Sequence, residues 1–163
     1  MMRLRNTVMI ATSFVVAISL TGCGSGPDAA GRTITRVTDG AETALTKDGS
    51  NIKVRNLLLV ELSDGSGTGV LVGSIINSAD KEDALLGISV NGINALYSGE
   101  SVMGKNSVIQ FEGTSANAKA VVPGMNVSAG KETVVSLFFA KAGLVTINAI
   151  VRDQRDTYAG ITA

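Results

Sequence analysis

The only cysteine of this 163-residue chain, Cys23, carries the most distinctive chemistry in the sequence. It follows Leu20-Thr21-Gly22 at the end of an uncharged apolar run from Val8 to Leu20, and Arg3 and Arg5 precede that run. A thiol between two glycines at the edge of a polar stretch is poorly placed for burial in a core. A cationic start, an apolar run of about 7–15 residues and small residues before a cleavage point are typical of an export signal. The sequence therefore predicts export with cleavage at Cys23.

The four residues Leu20-Thr21-Gly22-Cys23 resemble the lipobox of bacterial lipoproteins. The resemblance implies that residues 1–22 are a cleaved lipoprotein signal peptide and that Cys23 receives a diacylglyceryl group. As a helix, the apolar run would span only about 20 Å of a hydrocarbon core of about 30 Å, so a permanent transmembrane helix is the weaker interpretation. Two acyl chains anchor a protein stably. The expected location is the extracytoplasmic face of the cell membrane, and simple secretion with a free thiol is the alternative.

Loss of the signal peptide would leave 141 residues, which is enough for one domain with a real core. With Cys23 acylated, that domain has no thiol for a disulfide or a thiolate metal site. It carries 12 basic and 14 acidic residues, which argues against nucleic acid as a partner. Residues 23–31 indicate a lipidated N-terminus and a flexible Gly/Ser tether. The expected partners are the membrane, through the lipid on Cys23, and an unidentified envelope protein.

Residues 51–163 are expected to form a β domain, behind a poorly defined lead-in at residues 32–50. The lead-in could hold a short strand at 33–37, one helical turn at 41–45 and a turn at 47–50. Further on, apolar residues alternate with polar ones at the period of strands. We predict strands at 52–62, 69–77, 84–90, 94–97, 107–111, 118–122, 133–139, 144–152 and 157–161. Many short strands separated by turns predict an all-β fold, either an antiparallel β-sandwich or a barrel.

For two of the predicted strands, the sequence also predicts which side chains face the core. In the first strand, one face should carry Ile52, Val54, Leu58, Val60 and Leu62, with only Asn56 interrupting. Leu57 and Leu59 break the opposite face, so part of that face should also be covered. Phe138 and Phe139 are adjacent and must face opposite sides of their strand. Either both are core residues, which is the simpler interpretation, or one lies under a loop or on an interaction surface.

Two blocks of the sequence share a recognisable pattern of strands and turns. The first combines residues 51–56 with 69–77, and the second combines 128–134 with 137–147. Together they resemble actinobacterial membrane lipoproteins related to the PCu(A)C periplasmic copper-chaperone domain. The resemblance covers roughly residues 51–152 and implies a cupredoxin-like or immunoglobulin-like sandwich. It also implies that the loops at 91–106 and 113–130 correspond to the metal-bearing region of that family.

The copper ligands of the family are missing from this chain. The family holds copper(I) with histidines and methionines, and this sequence has no histidine. Thioether sulfur alone can bind copper(I), but beyond the signal peptide only Met103 and Met125 supply it. Two thioethers outside any His-x-Met pair are too few for a tight site, so we interpret both as loop or core residues. The sequence therefore predicts no metal ligand and no cofactor.

The candidates for catalysis are weak. Asp80, Glu82 and Asp83 share a loop, but calcium requires about six to eight oxygens at defined spacing, and the pattern is typical of a solvated turn. Asp153 and Asp156 alternate with Arg155, as charges do in a surface turn. Without histidine the chain lacks the commonest general base. We therefore predict that the protein is not an enzyme.

Three functions remain open from the sequence. The leading one is a lipid-anchored, extracytoplasmic, non-catalytic binding or assembly module at the cell envelope. The second is a copper-handling protein related to PCu(A)C chaperones, with a degenerate site completed by Met103, Met125 or a partner. The third is a purely structural envelope lipoprotein. A working face, if there is one, is expected on the loops at 91–106 and 113–130.

Overall fold

The structure, a computed structural model, describes residues 39–163. The expected signal peptide, Cys23, the expected tether and the strand expected at 33–37 lie outside the described residues. Within residues 39–163 there is no α-helix, and hence no helix with the length and apolar character to cross a bilayer. The strands are β1 Ala41–Lys47, β2 Ser50–Glu61, β3 Gly69–Asn77, β4 Asp83–Val90, β5 Ile93–Asn94, β6 Leu96–Gly99, β7 Val102–Met103, β8 Val108–Gln110, β9 Ala118–Val122, β10 Glu132–Phe139 and β11 Leu144–Asp153.

The strands form two layers, as the predicted β-sandwich requires. One layer has the order β5-β4-β10-β11, and the other has the order β2-β3-β9-β6, with β1 beside β2 and β8 beside β3. Paired strands are antiparallel except β11 and β2, which run parallel over residues 151–153 and 59–61 and join the two layers. The main core includes buried side chains from both layers, among them Leu59, Ile75, Val135 and Ile147. The all-β sandwich predicted from the sequence is confirmed.

A β-bulge in β2 decides which leucines face which side. The β2–β3 register shifts between Arg55 and Leu58, and Asn56 has a φ of 49°, which its short polar side chain tolerates. Gly73 lies opposite, where a Cβ would come within 2.7 Å of the Asn56 carbonyl oxygen. The prediction of one continuous apolar face was therefore wrong. Ile52, Val54, Leu57 and Leu59 face the main core, whereas Leu58, Val60 and Leu62 face the other side.

The C-terminal residues 154–163, here called the C-terminal strap, cover the outer face of β2 and β3. The edge strand predicted at 157–161 is wrong, because Asp156–Tyr158 form a 3-10 turn whose backbone N–H groups bond locally. Gln154 fixes the strap by accepting the Ser63 N–H at 2.8 Å and donating to the Ile161 carbonyl at 2.6 Å. A second apolar cluster results, made of Leu58, Val60, Leu62, Val70 and Ile161.

Residues 41–47 form strand β1, so the helical turn expected at 41–45 was wrong. The turn predicted at 47–50 is confirmed, and it folds β1 back on β2 in antiparallel pairing. Arg55 donates to the Glu42 carboxylate across this pair at 2.6 Å, and Leu45 packs against the main core. Pairing with β2 thus overrides the weak local helical preference. The sheet consequently includes residues from Ala41 onward, ahead of residue 51.

Candidate functional site

Neither methionine of the described chain presents its sulfur to solvent. Met103 is fully buried and belongs to β7, not to the loop expected there. Met125 is buried beyond β9, where a Cβ on Gly69 would lie only 2.6 Å from the methionine Sδ. The Met125 thioether therefore fills space that a larger residue at position 69 would need. Both side chains are packed in the main core.

The two thioethers also lie at opposite ends of β3. At one end, Asn77 Nδ2 donates to the Met103 carbonyl oxygen at 2.8 Å. At the other end, Met125 packs on Gly69. The nine residues of β3 place these ends about 26 Å apart. A metal–sulfur bond is about ten times shorter, since a zinc–sulfur bond is about 2.3 Å long. The pair Met103 and Met125 therefore does not fit a shared copper(I) site.

The two segments expected to correspond to the metal-bearing region of the resembled family do meet in space. Strand β6, from the first segment, pairs with β9, from the second, with Tyr97 opposite Ala120 and Gly99 opposite Ala118. Gly99 has a φ of 105°, and a Cβ there would collide with the backbone of residues 117 and 118. Glycine is thus needed for this close approach. No soft metal ligand lies among the residues that pair here.

Tyr97 is the aromatic side chain of this strand pair. Its ring packs edge-on against Phe111, with the centroids 6.4 Å apart and the planes at 77°. Its hydroxyl donates to the carbonyl oxygen of Glu100. Burial, with the negative charge of Glu100 as a smaller cause, raises the pKa of Tyr97 to about 12. The phenol therefore stays protonated near neutral pH, and it is suited to a packing role instead of proton transfer.

An open cavity of about 360 Å³ adjoins the β6–β9 pair. It contains Lys119 and Glu112, whose Nζ and Oε1 atoms are 3.9 Å apart. It also contains Asn117, whose Nδ2 donates to the Val108 carbonyl at 2.8 Å and whose Oδ1 accepts the Gln110 N–H at 2.7 Å. Because Lys119 and Glu112 pair with each other and Asn117 bonds to the backbone of β8, these side chains already have partners and do not converge on a ligand in the cavity.

Asp80 and Asp83 of the acidic loop at residues 80–83 bond to different partners and do not converge on one point. Asp80 pairs with Lys105 at 2.6 Å, and this hydrogen bond lowers the pKa of Asp80. Asp83 is buried, and its Oδ1 and Oδ2 each accept a backbone N–H at 2.8 Å, from Lys141 and Ala142. Asp83 therefore fastens the β10–β11 turn and is not part of a solvated loop. Residues 39–163 contain no group of three or more His, Cys, Asp or Glu side chains placed to hold a metal ion.

Three exposed apolar side chains cluster at one end of the β4–β10–β11 layer. Phe138 lies opposite Leu144 across the β10–β11 hairpin, and it shares a surface cavity of about 360 Å³ with Leu86. Leu86, Phe138 and Leu144 are 68%, 42% and 57% exposed, whereas Phe139 is 4% exposed. The prediction that both phenylalanines are core residues was therefore wrong. The alternative prediction, with one core residue and one surface residue, is confirmed. Leu86, Phe138 and Leu144 are called the apolar tip below.

The sequence contained part of the signal for the apolar tip. Alternation from a buried Phe139 places Phe138 outward, and a four-residue hairpin connection then places Leu144 beside it. Leu86 could not be assigned in this way. The β10–β4 register shifts between Phe138 and Phe139, so the position of Leu86 depends on how two distant strands align.

The two-layer arrangement is similar to that of PCuAC domains of known structure. The apo PCuAC domain from PmoF1 is 21% identical, with a TM-score of 0.58, over 69% of this chain and 99% of that one. The copper-bound PCuAC domain from PmoF2 is 23% identical, with a TM-score of 0.57, over 69% and 98%. The apo PmoF2 PCuAC domain is 22% identical, with a TM-score of 0.58, over 71% and 98%.

These likenesses establish the class of fold. The resemblance to the PCu(A)C domain inferred from the sequence is confirmed at that level, over a similar share of the chain. No protein-family model and no curated protein matches the chain in sequence. Function therefore has to be argued from the residues of this chain.

Proposed function

We propose that this protein is a lipid-anchored, non-catalytic binding or assembly module on the extracytoplasmic face of the cell membrane. The observation that carries the proposal is a PCuAC-like sandwich whose two thioethers are buried at opposite ends of β3. The fold is kept while these candidate copper donors are packed into the core. A protein–protein or protein–membrane role uses the surface of such a domain and needs no metal.

The anchor is supported by Leu20-Thr21-Gly22-Cys23 behind the apolar run. Replacing Cys23 with Ser removes the thiol that would carry the lipid, and we expect the protein to leave the membrane fraction of fractionated cells. The matched control is Ser25→Ala, which lies just past the lipobox and should leave membrane retention unchanged. Full retention of the Cys23→Ser protein would overturn the anchor.

The absence of a copper function can be tested on the mature chain. Titration with copper(I) against a chromophoric chelator should show no micromolar binding, and Met103→Leu and Met125→Leu should behave like the parent. Binding at micromolar or tighter affinity that disappears in Met103→Leu would contradict the proposal. So would hydrolase or redox turnover that a single substitution abolishes.

Copper handling is the second candidate, because a similar structure is a copper-bound PCuAC domain. For this chain, that function would require a partner protein to supply most of the ligands, since Met103 and Met125 cannot meet at one ion. Copper(I) bound by the chain only together with a crosslinked envelope partner would favour this candidate. A purely structural role is the third possibility, and crosslinking of intact cells would then give many neighbours without a specific one.

A further inference from the structure

We propose that the apolar tip of Leu86, Phe138 and Leu144 inserts into the surface of the bilayer. The domain would then touch the membrane at two points, the lipid on Cys23 and the tip. This inference rests on the proposed function, because it requires the anchor.

The composition of the tip suits a membrane interface. Phenylalanine and leucine are the side chains that enter the boundary between headgroups and acyl chains, to a depth of about 5–10 Å. The β10–β11 turn between Phe139 and Leu144 is Ala140-Lys141-Ala142-Gly143, whose small residues permit close approach. The Lys141 ammonium donates to the Glu82 carbonyl oxygen at 2.5 Å and so lies beside the tip. The buried Asp83 carboxylate holds this turn through the backbone N–H groups of residues 141 and 142. The tip is therefore preorganised and loses little conformational freedom on contact.

The charges beside the tip do not oppose this contact. The surface next to the turn is lined by Lys81 and Lys141 together with Asp48, Glu82 and Asp83. Asp83 is buried against backbone N–H groups, so the exposed charges are two cations and two anions, which balance toward phospholipid headgroups.

The size of the tip favours a bilayer over a second copy of the chain. A stable protein–protein interface uses roughly 20–30 residues and about 800 Å² on each side. The next row of the same sheet face is polar, with Ser136 opposite Thr146, and in the row after it the exposed Val134 lies opposite Asn148. The tip therefore offers a compact apolar point, which matches shallow insertion, and no broad apolar face for an isologous dimer.

The point where the chain enters the domain allows both membrane contacts at once. Asp39 lies 3.4 Å from Arg152, near the end of β11 that is farthest from Leu144. The residues from 144 to 152 span about 26 Å of strand. The sixteen residues from Cys23 to Thr38 can reach about 55 Å when fully extended. Residues 23–38 can therefore reach farther than the length of β11 between residues 144 and 152. The anchor would then raise the local concentration of the apolar tip at the bilayer that holds the lipid.

The test uses the mature, lipidated chain, in which acylation of Cys23 leaves no other thiol. Leu144→Cys and Val134→Cys each introduce one thiol for an environment-sensitive fluorophore. Val134 is the matched control, because it is 42% exposed on the same face of β10 and lies four residues, or about 13 Å, from Phe138. The labelled proteins are mixed with vesicles of phosphatidylcholine and phosphatidylglycerol that contain a spin-labelled lipid as quencher.

We expect the label at position 144 to shift to the blue and to be quenched several-fold more than the label at position 134. Adding Phe138→Ser to the Leu144→Cys protein should abolish the shift, and adding Val134→Ser should not. Each variant is first checked for folding by far-ultraviolet circular dichroism. Because both added serines are surface changes, their difference separates contact from loss of structure.

Three results would overturn the inference. Co-flotation with vesicles without a spectral shift at position 144 would overturn it alone and leave the anchor intact. A shift at both positions that is independent of vesicles and grows with protein concentration would mean that a second copy covers the face. Failure of the lipidated chain to float with vesicles would overturn the proposed anchor, and this inference with it.

Discussion

Both outer faces of the sandwich carry apolar side chains, but those side chains are buried on one face and exposed on the other. On the outer face of β2 and β3, Leu58 and Val60 are fully buried because Ile161 of the C-terminal strap covers them. On the outer face of β10 and β11, Phe138 and Leu144 are uncovered. Residue type alone therefore does not decide which apolar side chains reach solvent. Within residues 39–163, the C-terminal strap closes one face, and no described segment covers Phe138 and Leu144 on the other.

The most direct way to break this comparison is to shorten one leucine on each face. Leu58→Ala should lower the free energy of unfolding by about 3 kcal/mol, because it leaves a cavity under the strap. Leu144→Ala should change it by no more than about 0.5 kcal/mol, because the side chain is more than half exposed. Chemical denaturation of both variants measures the two values. Equal losses would show that the two faces do not differ in burial.

Removing the cover itself should have the next largest effect. Ile161→Ala should lower the free energy of unfolding by about 2 kcal/mol, since it uncovers Leu58 and Val60 while the end of the chain relaxes. Thr162→Ala is the neighbouring control, because Thr162 is exposed and its hydroxyl only accepts a bond from Lys119 at 3.4 Å. Thermal unfolding of the pair, followed by circular dichroism, gives the difference. If both variants unfold alike, the strap does not stabilise the covered face.

The bulge that gives β2 two apolar sides can be weakened separately. Asn56→Ala loses the hydrogen bond that Asn56 Oδ1 accepts from the Gly40 N–H at 2.8 Å, and it places alanine at positive φ. We expect a loss of about 1.5 kcal/mol in the free energy of unfolding. Asn56→Gly keeps the backbone relaxed and should lose about half as much. A larger loss for glycine than for alanine, in urea titrations, would contradict the role given to φ.

The smallest expected effect is a pH response of the strap. Burial, and then the 3.2 Å hydrogen bond to Asp39, raise the pKa of Tyr158 above its ordinary value. The folded chain thus holds this proton more tightly than the unfolded chain. The stability that Tyr158 contributes is complete below about pH 10 and is lost as the pH rises through the folded pKa.

Ultraviolet titration of tyrosinate can assign this response, because the chain has only two tyrosines. Tyr158→Phe should leave a single step near 12, from Tyr97. Tyr97→Phe should leave the Tyr158 step, which Asp39→Asn should lower. A Tyr158 step at its ordinary value in the Tyr97→Phe protein would mean that the strap does not shield this side chain.

Local patterns in the sequence were sufficient for most strands. The predicted strands at 69–77 and 118–122 coincide with β3 and β9, because alternation and flanking turns define them without reference to the rest of the chain. The bulge at Asn56 could not be predicted, since it depends on Gly73, which comes close only in the folded sheet. The two-residue strand β7 is likewise defined only by its pairing with Asp83 and Ala84.

For the candidate site, the sequence predicted some of the residues that matter but not where the fold places them. The sequence singled out Phe138 and Phe139, and it indicated that two methionines are too few for a tight copper site while leaving a degenerate site open. It could not show that Met103 and Met125 lie at opposite ends of one strand, because that follows from tertiary packing. Leu86 joined the apolar tip only through a register shift between β4 and β10, which no local pattern encodes.

Strand β1 has a mechanical consequence if the protein is held by its N-terminus. Force would first load the contacts of Asp39 and Gly40 and then the pair of Ala41 with Leu57. The turn that joins β1 to β2 lies at the other end of the pair, where Lys47 pairs with Ser50. An antiparallel pair pulled from its open end separates one residue pair at a time, as a zipper does. Peeling all seven residues of β1 would release roughly 25 Å of chain, and it would withdraw Leu45 from its contact with the main core. Strand β1 would then be a segment that can detach under tension and lengthen the link between the membrane and the domain.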